Sequence, residues 1–148
     1  MSLDYMINPV KMCGLVKEVT EDQVKVHLHG RLGVITVPSK LILTNEPLVP
    51  GHEMEFYFSY LEVIEQPYVY DSAEMTNDHE IFPCLLGGKI IEVNDTAAKV
   101  SIMDTLGTIA VPRRWLFTSV PLTEGLDVSF YFSCMNVVGY KDIPVESI

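Results

Sequence analysis

The strongest constraint on this chain is that it repeats itself. Gly14 falls on Gly88, an offset of 74 residues, and at that offset the segment from Asp4 to Ile64 aligns with the segment from Asp78 to Val138 without a gap. Glu18-Val19 meets Glu92-Val93, Lys25-Val26 meets Lys99-Val100, and Leu32-Gly33 meets Leu106-Gly107. Val37-Pro38 meets Val111-Pro112, Pro47-Leu48 meets Pro121-Leu122, and Phe56-Tyr57-Phe58-Ser59 meets Phe130-Tyr131-Phe132-Ser133. A gapless match of this length marks a tandem duplication. Each copy has roughly 60 residues, near the lower limit for a self-sufficient core, so the two are expected to pack on each other. The boundaries follow: 4–64 and 78–138 as the two units, 65–77 as a linker, and 139–148 as a C-terminal extension.

Within each copy the apolar residues recur with the period of strands. Leu15 to Val19 and Val24 to Leu28 flank the polar turn Thr20-Glu21-Asp22-Gln23, which reads as a hairpin placing Glu18 opposite Lys25 and Glu92 opposite Lys99. Such a register predicts cross-strand ion pairs. It also assigns Val16, Glu18, Lys25, His27 and His29 to the outer face, and Leu15, Val19, Val24, Val26 and Leu28 to the core. Gly33 to Val37 reads as a third strand, stopped by Pro38, which cannot donate to a ladder. Glu53 to Tyr60 reads as a fourth, with Met54, Phe56 and Phe58 inward and Tyr57 and Ser59 outward, and Leu61 to Ile64 as a fifth that bends back. Ser39 to Leu43 and Arg113 to Phe117 read as short helical turns or irregular crossovers.

Five short strands per copy, punctuated by glycine and without a long helix, describe an all-β protein of two tandem small five-stranded β-barrels. The strand order resembles S1 and other OB-type barrels, and SH3-like barrels less closely. The run Ile7-Asn8-Pro9-Val10, Gly30-Arg31-Leu32-Gly33, Val37-Pro38 and Ser59-Tyr60-Leu61-Glu62-Val63 resembles an uncharacterised clostridial family of short proteins carrying one such domain. Copy two departs from that pattern, with Thr105 at the Arg31 position and Cys134 at the Tyr60 position. The resemblance implies a bacterial small barrel and no particular activity.

Ten basic against twenty acidic residues leave a net charge of −10, which opposes non-specific binding to phosphate backbones. The start Met1-Ser2-Leu3-Asp4 lacks the basic and apolar stretches of a secretory signal, so a cytoplasmic location is expected, with no membrane partner. Cys13, Cys84 and Cys134 form no metal-ligand spacing and read as three small, mostly buried thiols in a reducing compartment.

Several side chains invite a functional reading. His27 and His29 sit two apart on one strand, a spacing that a metal uses with Glu18 as neighbour, but copy two has Ser101 and Met103 there, which favours a solvated face and no metal. Glu18 with Lys25 reads as a structural pair rather than a general base tuned by a lysine. Arg31, and Arg113-Arg114-Trp115 in copy two, are the best case for a contact surface, because basic and aromatic groups on OB-type barrels cradle single-stranded nucleic acid. The competing reading packs Trp115 between the barrels and pairs the arginines with carboxylates. Tyr57 and Tyr131 put aromatics on the outer face of the fourth strand, as a ligand groove or an interface would. No nucleophile elbow, phosphate-binding glycine loop or dinucleotide fingerprint is present, and no cofactor is implied. The leading expectation is a non-enzymatic module for protein binding or assembly, contacting partners through Arg31, Tyr57, Arg113, Arg114, Trp115 and Tyr131. A single-stranded RNA or DNA binder comes second, and an enzyme with a site in the cleft between barrels third.

Overall fold

The computed structural model describes residues 8–29, 33–44, 47–65, 81 and 83–140. Arg31 and all of the expected linker beyond Glu65 lie outside them, as does the C-terminal extension beyond Tyr140. The fold is all-β. Copy one supplies β1 (Val10–Val19), β2 (Gln23–Leu28), β3 (Val34–Pro38), β4 (Ile42–Leu43), β5 (His52–Phe58) and β6 (Leu61–Ile64). Copy two supplies β7 (Cys84–Val93), β8 (Ala97–Ile102), β9 (Thr108–Pro112), β10 (Leu116–Phe117), β11 (Asp127–Phe132) and β12 (Met135–Tyr140). Single 3-10 turns at Ser39–Leu41 and Arg113–Trp115 carry β3 into β4 and β9 into β10, at the two positions expected to be irregular.

Hydrogen bonding joins all twelve strands into one sheet. β1 pairs with β2, β2 with β3, and β1 with β5, all antiparallel. β6 does not pair with another strand of copy one. Instead β12, from the other copy, runs antiparallel to β5 and parallel to β4. Reciprocally, β6 runs antiparallel to β11 and parallel to β10. In each lobe, therefore, the strand laid beside the fourth long strand comes from the other copy, where the sequence reading had each copy form its own five-stranded barrel.

The reason is local. Only Ser59-Tyr60 separates β5 from β6, and only Ser133-Cys134 separates β11 from β12. A two-residue hairpin needs the positive φ that Gly, Asn or Asp supply. Among the described residues the sole non-glycine with positive φ is Thr105, so neither connection turns back. Each chain segment runs on into the neighbouring lobe.

The crossing is reciprocal about a pseudo-two-fold axis. Phe58 pairs with its own counterpart Phe132, and Ile35 with its counterpart Ile109 where β3 meets β9. The Tyr57 amide N–H donates to Ser133 Oγ at 2.8 Å, and the Tyr131 N–H to Ser59 Oγ at 2.9 Å. Each hydroxyl then donates to the next carbonyl, of Cys134 or Tyr60, at 2.7 Å. Ser59, expected to face outward, is thus buried, and its hydroxyl is fully used. Phe56, Phe58, Phe130 and Phe132 have no exposure and meet edge-on at 6.0 to 6.2 Å for the pairs Phe58–Phe130, Phe58–Phe132 and Phe56–Phe132. Where β3 and β9 meet, Gly107 (φ 110°) lies so close to Thr36 O that a Cβ there would collide with it, and Gly33 stands in the same relation to Ala110 O.

A bulge corrects one further expectation. Glu18 does oppose Lys25, and Glu92 opposes Lys99, but the register slips one residue between Val16 and Glu18 and again between Ile90 and Glu92. The extra residue reverses which side chains point inward on the N-terminal side of the bulge. Val16 is accordingly fully buried and Leu15 shares the outer face with His27. The opposed charges form no ion pair. Among the described residues the ion pairs given by the structure are Lys11–Glu55 at 3.4 Å and Lys89–Asp127 at 3.7 Å, both on the surface.

Removing the crossing hydroxyls tests their role. Ser59→Ala or Ser133→Ala leaves one amide N–H without its partner and is expected to cost about 1–3 kcal/mol, read from the midpoint of urea unfolding.

Candidate binding surface

The side chains singled out from sequence fall in two places. Tyr57 and Tyr131 stand half-buried on the outer faces of β5 and β11, next to the crossing. Lys11 on β1 is the cross-strand partner of Tyr57, and its Nζ lies 5.6 Å from the ring centroid while also pairing with Glu55. The two tyrosines are anchored through backbone amides, which fixes their positions on either side of the axis.

Arg113, Arg114 and Trp115 form the 3-10 turn that leads into β10. Trp115 is only 4% exposed. Its ring stacks on Phe58 at 5.8 Å and meets Tyr60 edge-on at 4.7 Å, both residues of copy one. The packing alternative therefore describes Trp115, and in this conformation the ring has no face for a nucleic-acid base. Arg113 is half-buried and donates from Nη1 to the Asn94 carbonyl at 3.1 Å, a backbone acceptor rather than a carboxylate. Arg114 is exposed.

The structure adds one residue that sequence reasoning passed over. Tyr60, at the strand crossing, is 45% exposed and touches both Trp115 and, at 5.1 Å, Phe117. A run of rings, Phe58, Trp115, Tyr60 and Phe117, thereby leads from the core to the surface beside the two arginines. The pseudo-equivalent place in the other lobe has Leu41, Leu43 and a buried Cys134 in place of Trp115, Phe117 and Tyr60. The signal in the sequence was the joint substitution of all three positions between copies.

His27 and His29 lie on the outer face of lobe one, His29 exposed and His27 half-buried. No cluster of three His, Cys, Asp or Glu suited to a metal occurs among the described residues. Burial pushes the His27 pKa below its ordinary 6.5, and Lys17 and Lys25 push it further down. Cys84 and Cys134 are buried, in keeping with the expectation of mostly buried thiols, and Cys13 is exposed. Burial, and secondarily Cys84, pushes the Cys134 thiol up.

No family model matches this chain, and no curated protein matches it. Among solved structures, the molybdate-bound form of the cytoplasmic molybdate-binding protein ModG is similar over 93% of this chain and 100% of that one, at 16% identity and a TM-score of 0.29. A likeness that distant carries no argument about ligand or fold. No helix among the described residues is long and apolar enough to cross a membrane.

Two outcomes are expected. With a folded-state pKa below the unfolded 6.5, His27 binds fewer protons folded than unfolded. Its contribution to stability is therefore full above the unfolded pKa, declines as pH falls toward the folded pKa, and levels off below it. NMR titration of the imidazole should give that lowered pKa, and Lys17→Gln should raise it. A thiol reagent should modify one of the three cysteines of the native protein quickly, and Cys13→Ser should abolish that fast phase.

Proposed function

We propose that this protein is a non-enzymatic binding module for a protein partner, engaged through the aromatic and basic end of lobe two. The observation that carries the reading is Tyr60. Its half-exposed ring rests on the buried Trp115 and on Phe117, on a turn that also bears the exposed Arg114. Tyrosine, tryptophan and arginine dominate the energetics of protein interfaces when rigidly presented. Here the ring is held by two others, so little conformational entropy is lost when a partner covers it. The burial of Trp115 and the net charge of −10 disfavour nucleic acid as the occupant.

The experiment is partner capture from cell extract with the wild-type chain and with Tyr60→Ala and Arg114→Ala, each with nuclease-treated duplicates. A discrete protein retained by the wild type, lost in both variants and indifferent to nuclease is the expected result. Nuclease-sensitive retention would replace this reading with nucleic-acid binding, and capture unchanged in both variants would remove this surface from consideration.

A further inference from the structure

Lobe one carries a second feature that partner binding does not use. A concavity of about 480 Å3 opens on its outer face, lined by Leu15 and Lys17 of β1, His27 and Leu28 of β2, His29, Gly33 and Val34. Leu15 and Val34 are the cross-strand neighbours of His27 on either side, so they flank it with apolar side chains on the same face. Among the described residues, Lys17, His27 and His29 form no ion pair and no side-chain hydrogen bond. Lys17 is the one lining residue, among the described residues, that is charged at neutral pH, in a chain with twice as many acids as bases. Lys17 and Lys25 both act on the His27 ring. The nearest acids by register are Glu18, opposite Lys25, and Glu53, opposite Leu15.

From this geometry we infer that the Lys17–His27–His29 concavity is a binding site for a small organic anion, one carboxylate or phosphate group carried on a compact apolar body. The lining decides the class. Three cationic or hydrogen-bond-donating groups around one cavity suit a point anion, and the flanking Leu15 and Val34 suit an apolar body. A nucleic-acid track would need a line of cations with stacking rings, and among the described residues no aromatic one lines the cavity. Lobe two provides an internal comparison. There the counterparts of Lys17, His27 and His29 are Ile91, Ser101 and Met103. Its own concavity of about 350 Å3 contains Lys89, already paired with Asp127 at 3.7 Å. The anion site belongs to lobe one alone.

Binding is coupled to protonation. An anion beside the imidazoles favours their charged forms, so affinity should rise as pH falls, and a bound anion should raise the pKa of His27.

The test is NMR titration of the full chain, following the histidine ring protons, with phenyl phosphate and benzoate as probes. Benzyl alcohol, inorganic phosphate and sodium chloride at matched ionic strength serve as controls. Saturable shifts of His27 and His29 with either organic anion, and none at His52, are expected. Affinity should fall about tenfold in Lys17→Gln and should be greater at pH 6 than at pH 8. The stronger of the two probes identifies the head group. His29→Gln, a change at an exposed position, gives an independent loss variant should Lys17→Gln perturb the bulge. Shifts that do not saturate, that match those of chloride, or that survive in both variants would overturn the proposal. Binding of benzyl alcohol as tight as that of the anions would do so as well.

Discussion

Everything in this fold depends on two strand ends that do not turn around. Between β5 and β6, and between β11 and β12, the chain has a serine and one further residue, neither suited to a tight hairpin. The strands therefore pass across the pseudo-axis, and the serine hydroxyls meet the amides that this crossing would otherwise leave without partners. The two contributions differ in kind. A net hydrogen bond is worth about 1 kcal/mol, while full burial of a phenylalanine side chain is worth about 1.5–3 kcal/mol. The four fully buried phenylalanines at the crossing supply most of the favourable energy, and the serines fix where the strands cross.

Symmetry is kept where the two copies hold each other and lost where they face outward. Ile35 with Ile109, Phe58 with Phe132, and the two Ser–Tyr amide contacts are all self-related by the repeat. Away from the axis the copies diverge in sets. Leu41, Leu43 and Cys134 fill one end of the molecule, while Trp115, Phe117 and Tyr60 fill the other, so that a large ring in one strand is matched by large rings in its neighbours. The same divergence separates the concavity of lobe one, with Lys17 and two histidines, from that of lobe two, where Lys89 is paired with Asp127. A duplicated scaffold with unlike surfaces has room for two different contacts.

The sequence carried the elements more clearly than their partners. Alternation in Met54, Phe56 and Phe58 and the stop at Pro38 showed the strands, and the offset of 74 residues showed the pseudo-symmetry. Exchange of the last strands was harder to see, because β6 has the same apolar pattern whichever β-strand it meets. The evidence for exchange lay in Ser59-Tyr60 and Ser133-Cys134, two connections without a turn residue. Bulges escaped for a related reason: Lys17 and Ile91 differ in character, so no shared signature marked the inserted position, and Val16 was placed on the wrong face. Of the surface, Arg114 and the half-buried Tyr57 and Tyr131 were legible as outward residues. Trp115 was not, because its burial depends on Phe58 and Tyr60 of the other copy.

Exchanged strands also set an order of events for folding. The crossing contacts join residues 72 and 76 positions apart, and β5 finds its second neighbour only in β12. During synthesis, the first lobe therefore waits, open along one side, until nearly all of the second repeat has left the ribosome. Its β5 edge is unpaired throughout that interval, and long-range pairing of this kind forms slowly. The apolar face of β5 is what such an unfinished half exposes to other nascent chains. A duplication that stabilises the finished molecule thus lengthens the period in which the first half is vulnerable to wrong pairing.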